Sequence, residues 1–313
     1  MTQLKVAFVF PGQGSQAVGM LDSFAGDAAA ESVVARASSA LGQNLGALMA
    51  DGPAEDLNLT INTQPALLTA GYAIYSAWRA AGGAEPAAVA GHSLGEYTAL
   101  VVAGVIDLED AVRLVRLRAQ AMQDAVPVGV GSMAAILGLS DELVRQACNE
   151  AAQSETVEAV NFNAPLQVVI AGHTSAVERA CEIAKRLGAR RAVTLPVSAP
   201  FHSTLLQPAS DRLRARLAEM TLREPCIGLI NNVDVSVETE PARIADAMAR
   251  QAARPVRWAD TIRTMREQGV THVVECGPGR VLSGMTKRIV PEIESLVIND
   301  AATLNSALAA LNA

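Results

Sequence analysis

Short apolar runs alternate with amphipathic helical stretches from one end of this chain to the other. This alternation is typical of an α/β fold with parallel strands, because each return between parallel strands needs a crossover that is usually a helix. Half of the 313 residues are apolar, which is enough for one large domain carrying a smaller one. The predicted strands are Lys5–Phe10, Ala87–Ala90, Met133–Leu139, Thr156–Phe162, Val168–Ala171, Arg191–Pro196, Ile227–Asn231, His272–Cys276 and Leu296–Ile298.

One internal segment has its own order of elements. From Ser132 to Ser198 the pattern is strand, helix, strand, strand, helix, strand, which is the order of a ferredoxin-like unit. It follows VPVGVG (Val126–Gly131), whose proline and glycines suit a domain boundary. We therefore expect a small ferredoxin-like domain inserted into a larger α/β domain, with a cleft between them that suits a small-molecule site.

Composition narrows the class of protein. The net charge of −7 argues against nucleic acid as a partner, since phosphate neutralisation needs a basic surface. We predict no metal site, because the four histidines lack the spacing of metal ligands. We also predict that the four cysteines are reduced, because they are dispersed along the chain. No apolar run has the length of a bilayer span and the N-terminus does not resemble a signal peptide, so we expect a soluble, cytoplasmic protein without a membrane partner.

A glycine-containing turn follows the first predicted strand, in VAFVFPGQGSQAVGM (Val6–Met20). Its Gly12-x-Gly14-x-x-Ala17 spacing resembles a dinucleotide fingerprint, which also needs a second strand ending in an acid about twenty residues on. The next periodic segment, AAAESVVARASSAL, has a helical period instead, and no such strand follows. We therefore expect these glycines to let the backbone turn sharply and direct N–H groups into a site.

A second glycine-flanked motif is Gly91-His92-Ser93-Leu94-Gly95, between the apolar run AAVA and the helical stretch GEYTALVVAGV. A serine at such a strand-to-helix turn is typical of a nucleophile elbow, in which the hydroxyl projects at the helix N-terminus. The alternative is an ordinary loop with an N-capping serine. We predict that Ser93 is a nucleophile and that the backbone N–H of Leu94 binds a developing oxyanion.

Two histidines are candidates for the base that a serine nucleophile needs. His202 lies in the proline-flanked loop PVSAPFHST, whereas His272 begins the predicted strand HVVEC. We favour His202, because a loop between two domains can deliver an imidazole into the cleft. The usual hydrolase order of serine, acid and histidine would favour His272 instead, with Asp234 or Asp260 orienting it.

An arginine lies on the apolar stripe of the predicted helix LEDAVRLVRLRAQAMQDA, which Asp107 is expected to cap. At 100° per residue Arg118 falls beside Leu114 and Met122. A cation on a core-facing stripe must have a partner, because burying it alone is costly. That partner is either an internal aspartate or glutamate, giving a structural ion pair, or a carboxylate on a substrate.

Seven short stretches together resemble the malonyl-CoA:acyl carrier protein transacylase family. They are FVFPGQGSQ, TQPAL, GHSLGEY, RLRAQAMQ, NFNAP, PFHS and ECGPGRVL, and the resemblance extends from about Val6 to the last predicted strand. The resemblance implies a hydrolase-like α/β domain over residues 1–126 and 199–313, with the ferredoxin-like small domain at 127–198.

Specific roles follow from that resemblance. Ser93 would be the nucleophile and His202 the base, oriented by the main-chain carbonyl of Gln251 rather than by an aspartate. The backbone amides of Gln13 and Leu94 would form the oxyanion hole, which accounts for the glycines around Gln13. The remaining implied residues are Arg118, pairing with the substrate carboxylate, Phe201, excluding an α-methyl group, and Gln64, Asn161 and Asn163, lining the site.

The implied activity is transfer of a malonyl group from malonyl-CoA to the phosphopantetheine thiol of acyl carrier protein, through a malonyl-serine ester, for fatty-acid synthesis. Coenzyme A is then a substrate, and no cofactor is expected. The alternatives are a serine hydrolase or thioesterase, a trans-acting acyltransferase of a polyketide or malonate-decarboxylase system, and an inert carrier-protein adaptor. An acidic carrier would need a local basic patch on this acidic chain, and AKRLGARR (Ala184–Arg191) is the densest candidate.

Overall fold

The protein is built around two β-sheets of different kinds. The structure, a computed structural model, describes residues 4–311. A parallel sheet has the order β7-β2-β1-β8-β9, and an antiparallel sheet has the order β4-β5-β3-β6. The strands are β1 (Val6–Phe10), β2 (Ala88–Gly91), β3 (Gly131–Leu137), β4 (Val157–Ala164), β5 (Gln167–His173), β6 (Arg191–Thr194), β7 (Gly228–Leu229), β8 (His272–Cys276) and β9 (Glu294–Ile298). The predicted α/β class with a parallel sheet is confirmed.

Helices fill the connections between the strands. They are α1 (Ala28–Leu41), α2 (Leu45–Asp51), α3 (Ala54–Leu57), α4 (Thr60–Ala80), α5 (Gly95–Val102), α6 (Leu108–Asp124), α7 (Asp141–Ala152), α8 (Thr174–Arg186), α9 (Gln207–Ala218), α10 (Pro241–Gln251), α11 (Trp258–Glu267), α12 (Val281–Ile289) and α13 (Ala301–Leu311). Within residues 4–311, none of them combines the length and the apolar character needed to cross a bilayer.

The parallel sheet is covered on both faces, as the pleat of its central strand shows. Phe8 and Phe10 of β1 point into the core shared with α1, α4, α5 and α6. Ala7 and Val9 point the other way, toward α11 and α12. All four side chains are buried, which explains why β1 is a continuous apolar run rather than an alternating one.

The antiparallel sheet has a separate core beneath α7 and α8. Ala134 and Ile136 of β3 pack there, together with Val168 and Ile170 of β5. The alternate residues of the same strands face the core of the parallel sheet. The small sheet therefore lies between its own two helices and the larger part of the molecule.

Two sequence-based expectations need correction in detail. The predicted strand Ile227–Asn231 is only Gly228–Leu229, because the Asn231 side chain accepts hydrogen bonds from Val233 and Asp234 and turns the chain away. Asp107 stands at the N-terminus of α6 but makes no capping hydrogen bond. Its carboxylate instead pairs with Arg223 at 2.6 Å.

Candidate active site

The two glycine motifs meet at one edge of the parallel sheet. Strands β1 and β2 are parallel neighbours, so the loops at their carboxyl ends lie side by side. A Cβ atom at Gly12 would lie 2.6 Å from the carbonyl oxygen of His92, and one at Gly95 would lie 2.0 Å from that of Phe10. Both positions therefore require glycine, because the two loops approach at backbone distance.

Ser93 occupies a strained turn between β2 and α5. Its φ is 52°, a left-handed conformation that non-glycine residues rarely adopt. The turn is held by Asn232, whose side-chain oxygen accepts from the Ser93 N–H at 2.8 Å and whose amide donates to the carbonyl of Gly91 at 2.7 Å. The strained serine thus projects its hydroxyl from the start of a helix, as in a nucleophile elbow.

A buried imidazole lies next to this hydroxyl. Nε2 of His202 is 2.7 Å from Oγ of Ser93, and Nδ1 donates to the carbonyl oxygen of Gln251 at 2.9 Å. Burial, with a smaller contribution from the charge of Arg118, lowers the pKa of His202 to about 3. The ring is therefore neutral at pH 7, with Nε2 free to accept the serine proton.

The residues of the alternative hydrolase triad are engaged elsewhere. Nε2 of His272 faces the Glu294 carboxylate at 3.2 Å. Asp234 pairs with Arg250, and Asp260 pairs with two arginines of its own helical region. The histidine that contacts Ser93 is His202.

Two backbone amides face the same space as the serine. Among the described residues, neither the N–H of Gln13 nor that of Leu94 has a hydrogen-bond acceptor. Both residues line the cavity in front of Ser93, and the side chain of Gln13 is fixed by a 3.1 Å bond to Thr60. The two amides are thus free to bind an oxyanion.

Arg118 lines the cavity and is only 1% exposed. Its guanidinium donates to the Gln64 side chain at 2.8 Å, to the Gln251 side chain at 2.9 Å and to Ser93 Oγ at 3.1 Å. Its Nε has no partner, and within residues 4–311 no carboxylate lies within 4 Å of it. A structural ion pair is therefore not the explanation of this buried cation.

The cavity has a volume of about 120 Å³ and is lined by residues of the loops that follow β1 and β2 and by residues of the antiparallel sheet. Asn161 of β4 lines it with a side-chain oxygen that has no partner. Asn163 does not line the cavity but accepts from His92 at 2.8 Å. The residues around the cavity are Gln13, Gln64, His92, Ser93, Leu94, Arg118, Met122, Met133, Asn161, Leu195, Val197, Phe201 and His202.

The sequence is similar to proteins of one known family along nearly its whole length. The family model described as acyl transferase domain matches residues 7–302. The malonyl CoA-acyl carrier protein transacylase of Escherichia coli K12 is 54% identical, with 98% of this chain and 99% of that protein aligned. The chain belongs to the malonyl-CoA–acyl carrier protein transacylase family. It is an acyltransferase.

Solved structures of the transacylase family agree with this fold. An acyl-carrier-protein S-malonyltransferase from Burkholderia pseudomallei 1710b superposes with a TM-score of 0.97 at 61% identity, covering 98% of this chain and 100% of that one. A malonyl-transacylase in complex with a type II PKS acyl-carrier protein superposes with a TM-score of 0.96 at 50% identity, covering 98% and 99% of the two chains.

Two buried residues of this transacylase-family site were not singled out from the sequence. Glu96, 2% exposed on α5, accepts from the backbone N–H of Asn232 at 3.0 Å and from the side-chain amide of Gln251 at 2.8 Å. Burial raises the pKa of Glu96 to about 7. The sequence could have indicated Glu96, because an acidic residue inside the apolar stretch GEYTALVVAGV is unusual. The second residue is Asn232, and an asparagine in a loop gives no such signal.

Across the part of the chain that the structure describes, no three histidine, cysteine, aspartate or glutamate side chains are grouped so as to hold a metal ion. The chemistry available at the site is that of a serine, a neutral histidine, two free amides and a buried cation.

Proposed function

We propose that this enzyme transfers a malonyl group from malonyl-CoA to the phosphopantetheine thiol of acyl carrier protein. The observation that carries the proposal is Arg118, a buried cation beside the nucleophile that has no carboxylate within 4 Å among residues 4–311. A malonyl thioester brings a free carboxylate to that position. A planar guanidinium can bind it through charged hydrogen bonds, which an acetyl group cannot return.

Acylation would begin when His202 removes the proton of Ser93. The serine oxygen attacks the thioester carbonyl, and the amides of Gln13 and Leu94 stabilise the oxyanion, each such donor being worth about 3 kcal/mol. The tetrahedral intermediate collapses as His202 returns the proton to the departing coenzyme A sulfur. The product is a malonyl ester on Ser93.

Deacylation would use the same groups in reverse. The carrier's thiol gives its proton to His202 and attacks the ester, and Ser93 leaves with the proton restored. Since the first product departs before the second substrate reacts, the kinetics should be ping-pong. The coenzyme A thioester is a substrate of this cycle and free coenzyme A is its first product, with no cofactor involved. We place the reaction in the cytoplasm, where the chain's free cysteines would stay reduced.

The architecture fits a two-domain interpretation of the site. We assign residues 1–126 and 199–313 to a hydrolase-like domain and residues 127–198 to a ferredoxin-like domain. The antiparallel order β4-β5-β3-β6, with α7 and α8 on one face, supports the second assignment. The nucleophile elbow after β2 supports the first. The cavity would then lie between the domains.

Two alternatives keep the same acyl-enzyme. The family neighbour bound to a type II PKS acyl-carrier protein makes a polyketide carrier a second candidate acceptor. A hydrolase would release the acyl group to water, but it gives no reason for an unneutralised Arg118 beside the serine. Fatty-acid synthesis is the pathway we propose for this enzyme.

The direct test is intact mass after brief mixing with malonyl-CoA. We expect one malonyl adduct, located on the Gly91–Gly95 peptide, and none in Ser93→Ala. Adding a holo carrier protein should discharge the adduct onto its thiol, whereas a hydrolase would release malonate without it. An adduct that persists in Ser93→Ala would contradict the nucleophile assignment.

A further inference from the structure

The side-chain amide of Gln251 lies between a buried cation and a buried carboxyl group. Its oxygen accepts from Nη2 of Arg118 at 2.9 Å, and its nitrogen donates to Oε2 of Glu96 at 2.8 Å. The same nitrogen also donates to the carbonyl oxygen of Ser93 at 2.9 Å. All three side chains are at most 2% exposed.

These contacts fix which way the amide points. A side-chain amide has two donors at nitrogen and an acceptor at oxygen, so its two ends are assigned from their partners. The side-chain nitrogen of Gln251 faces the carbonyl oxygen of Ser93, which can only accept, and an oxygen of Glu96, which can only accept when Glu96 is ionised. The side-chain oxygen of Gln251 faces the guanidinium of Arg118, which can only donate. Reversing the amide would break every one of these bonds.

The amide also separates two charges that would otherwise pair. A buried arginine and a buried carboxylate in contact attract strongly, because little water screens them. Here Arg118 is bonded to the neutral oxygens of Gln64, Gln251 and Ser93 instead. Glu96 still balances part of the buried charge, but it does so from beyond the amide.

We propose that Glu96 and the Gln251 side chain are positioning residues for acyl selection, holding Arg118 oriented but unneutralised so that it binds a carboxylate on the acyl group. The inference rests on the proposed malonyl transfer and adds to it the reason why the cation stays available. The carbonyl of Gln251 orients His202 separately, so substitutions of its side chain leave that main-chain group in place.

The first test is Gln251→Glu, which puts a carboxylate where the amide oxygen meets Arg118. The new carboxylate would pair with the guanidinium, while Glu96 next to it would take up a proton. Acylation by malonyl-CoA should fall roughly hundredfold, because about two charged hydrogen bonds are lost to the internal competitor. Acylation by acetyl-CoA should fall far less, so the malonyl-to-acetyl ratio of kcat/KM should collapse. Gln146→Glu, an exposed position on α7, is the matched control for the added charge and should leave the ratio unchanged.

The second test removes the anchor at Glu96 rather than adding a charge. Glu96→Gln keeps an oxygen that accepts from Gln251 and Asn232, so it should hold the ratio within about threefold of the wild type. Glu96→Ala leaves the amide without its anchor and should lower the ratio about tenfold or more. Each rate is divided by the fraction of enzyme that a saturating thioester acylates, so misfolded protein does not affect the ratio.

The outcomes separate this inference from the proposed function. If the wild type takes no malonyl group from malonyl-CoA, the proposed function fails and this inference fails with it. If the wild type is acylated but Gln251→Glu and Glu96→Ala keep its malonyl-to-acetyl ratio, only this inference fails. A collapse of the malonyl-to-acetyl ratio in Gln251→Glu and Glu96→Ala, with a near wild-type ratio in Glu96→Gln, supports the inference. A purely structural role would instead lower kcat/KM for both thioesters equally.

Discussion

Nε2 of His202 lies 2.7 Å from Oγ of Ser93, although 109 residues separate them in the chain. Because Nδ1 of the same ring donates to a backbone carbonyl, the contact assigns the tautomer in which Nε2 accepts the serine proton. A main-chain carbonyl here occupies the place that an aspartate takes in a serine–histidine–aspartate triad. The orienting carbonyl carries no charge. The positive charge of the imidazolium formed during catalysis would therefore have to be stabilised by other groups of the site.

The first prediction concerns which histidine is the base. His202→Ala should slow Ser93 acylation by about two or more orders of magnitude, the usual effect of losing a general base. His272→Ala should instead lower the melting temperature with little change in rate, because His272 contacts Glu294 at the side of the parallel sheet. Stopped-flow acylation and thermal unfolding of both variants give the comparison. The reverse assignment of effects would favour a hydrolase-type triad.

The second prediction concerns the pH dependence of acylation. Burial lowers the pKa of His202 to about 3, so the ring should stay unprotonated and able to accept the serine proton well below pH 6.5, the pH at which an exposed histidine is half protonated. With acetyl-CoA, whose acyl group does not titrate, the acid limb of kcat/KM should lie below pH 5.

The charge of Arg118 is the second cause of that low pKa, so its removal should shift the limb. Arg118→Ala should raise the pKa of His202 and move the acid limb toward pH 6.5. The same acetyl-CoA profile measures this. A limb near pH 6.5 in the wild type, or one that does not move in the variant, would contradict the electrostatic account.

Much of the fold could be predicted because local pattern and tertiary structure agree. The continuous apolar run of β1 and the β-α-β-β-α-β order correspond to strands and helices in the structure. Strand ends were less predictable, as Ile227–Asn231 shows, because Asn231 ends the strand through side-chain bonds that periodicity does not encode. Asp107 likewise had the right residue type for a cap, but a distant arginine binds its carboxylate.

The site could be predicted as far as single residues reveal their chemistry. Arg118 was visible because a charge on an apolar helix stripe is anomalous, and Ser93 because glycines flank it. The network around Glu96, Gln251 and Asn232 was not visible. Asn232 and Gln251 lie 136 and 155 positions after Glu96 in the chain, so only the fold brings them into contact with it.

The third prediction concerns selection at the α-carbon of the acyl group. Phe201 lines the cavity next to His202 and is buried, so its ring would collide with an α-methyl group. Phe201→Ser should narrow the preference for malonyl-CoA over methylmalonyl-CoA about tenfold to a hundredfold, since a methylene-sized difference is worth about 1–3 kcal/mol. Phe201→Tyr keeps the bulk and is the control. If Phe201→Ser keeps the wild-type preference, the ring does not select.

The fourth prediction concerns carrier docking. Arg190 and Arg191 are exposed, and within residues 4–311 neither forms an ion pair, whereas Lys185 nearby is paired with Glu182. Arg191 begins the edge strand β6, which leads toward Leu195 at the cavity. Reversing both arginine charges to glutamate should raise the KM for carrier protein several-fold and leave the KM for malonyl-CoA unchanged.

A double reversal at Arg266 and Lys287, on α11 and α12, is the matched control for net charge, because both side chains are exposed and neither forms an ion pair within residues 4–311. It should leave both constants near their wild-type values. Two results would argue against docking at Arg190 and Arg191. One is that both double reversals raise the KM for carrier protein equally. The other is that reversal of Arg190 and Arg191 raises the KM for carrier protein and the KM for malonyl-CoA equally.

The central claim is that the unneutralised Arg118 selects an acyl group bearing a carboxylate. It is tested most directly by offering equimolar malonyl-CoA and acetyl-CoA and determining the acyl-enzyme by intact mass. The wild type should carry almost only the malonyl adduct, and Arg118→Ala should lose malonyl transfer while gaining relative activity on acetyl-CoA, because the variant lacks the charged hydrogen bonds of the guanidinium. An Arg118→Ala enzyme that still takes malonyl in preference to acetyl would contradict the claim.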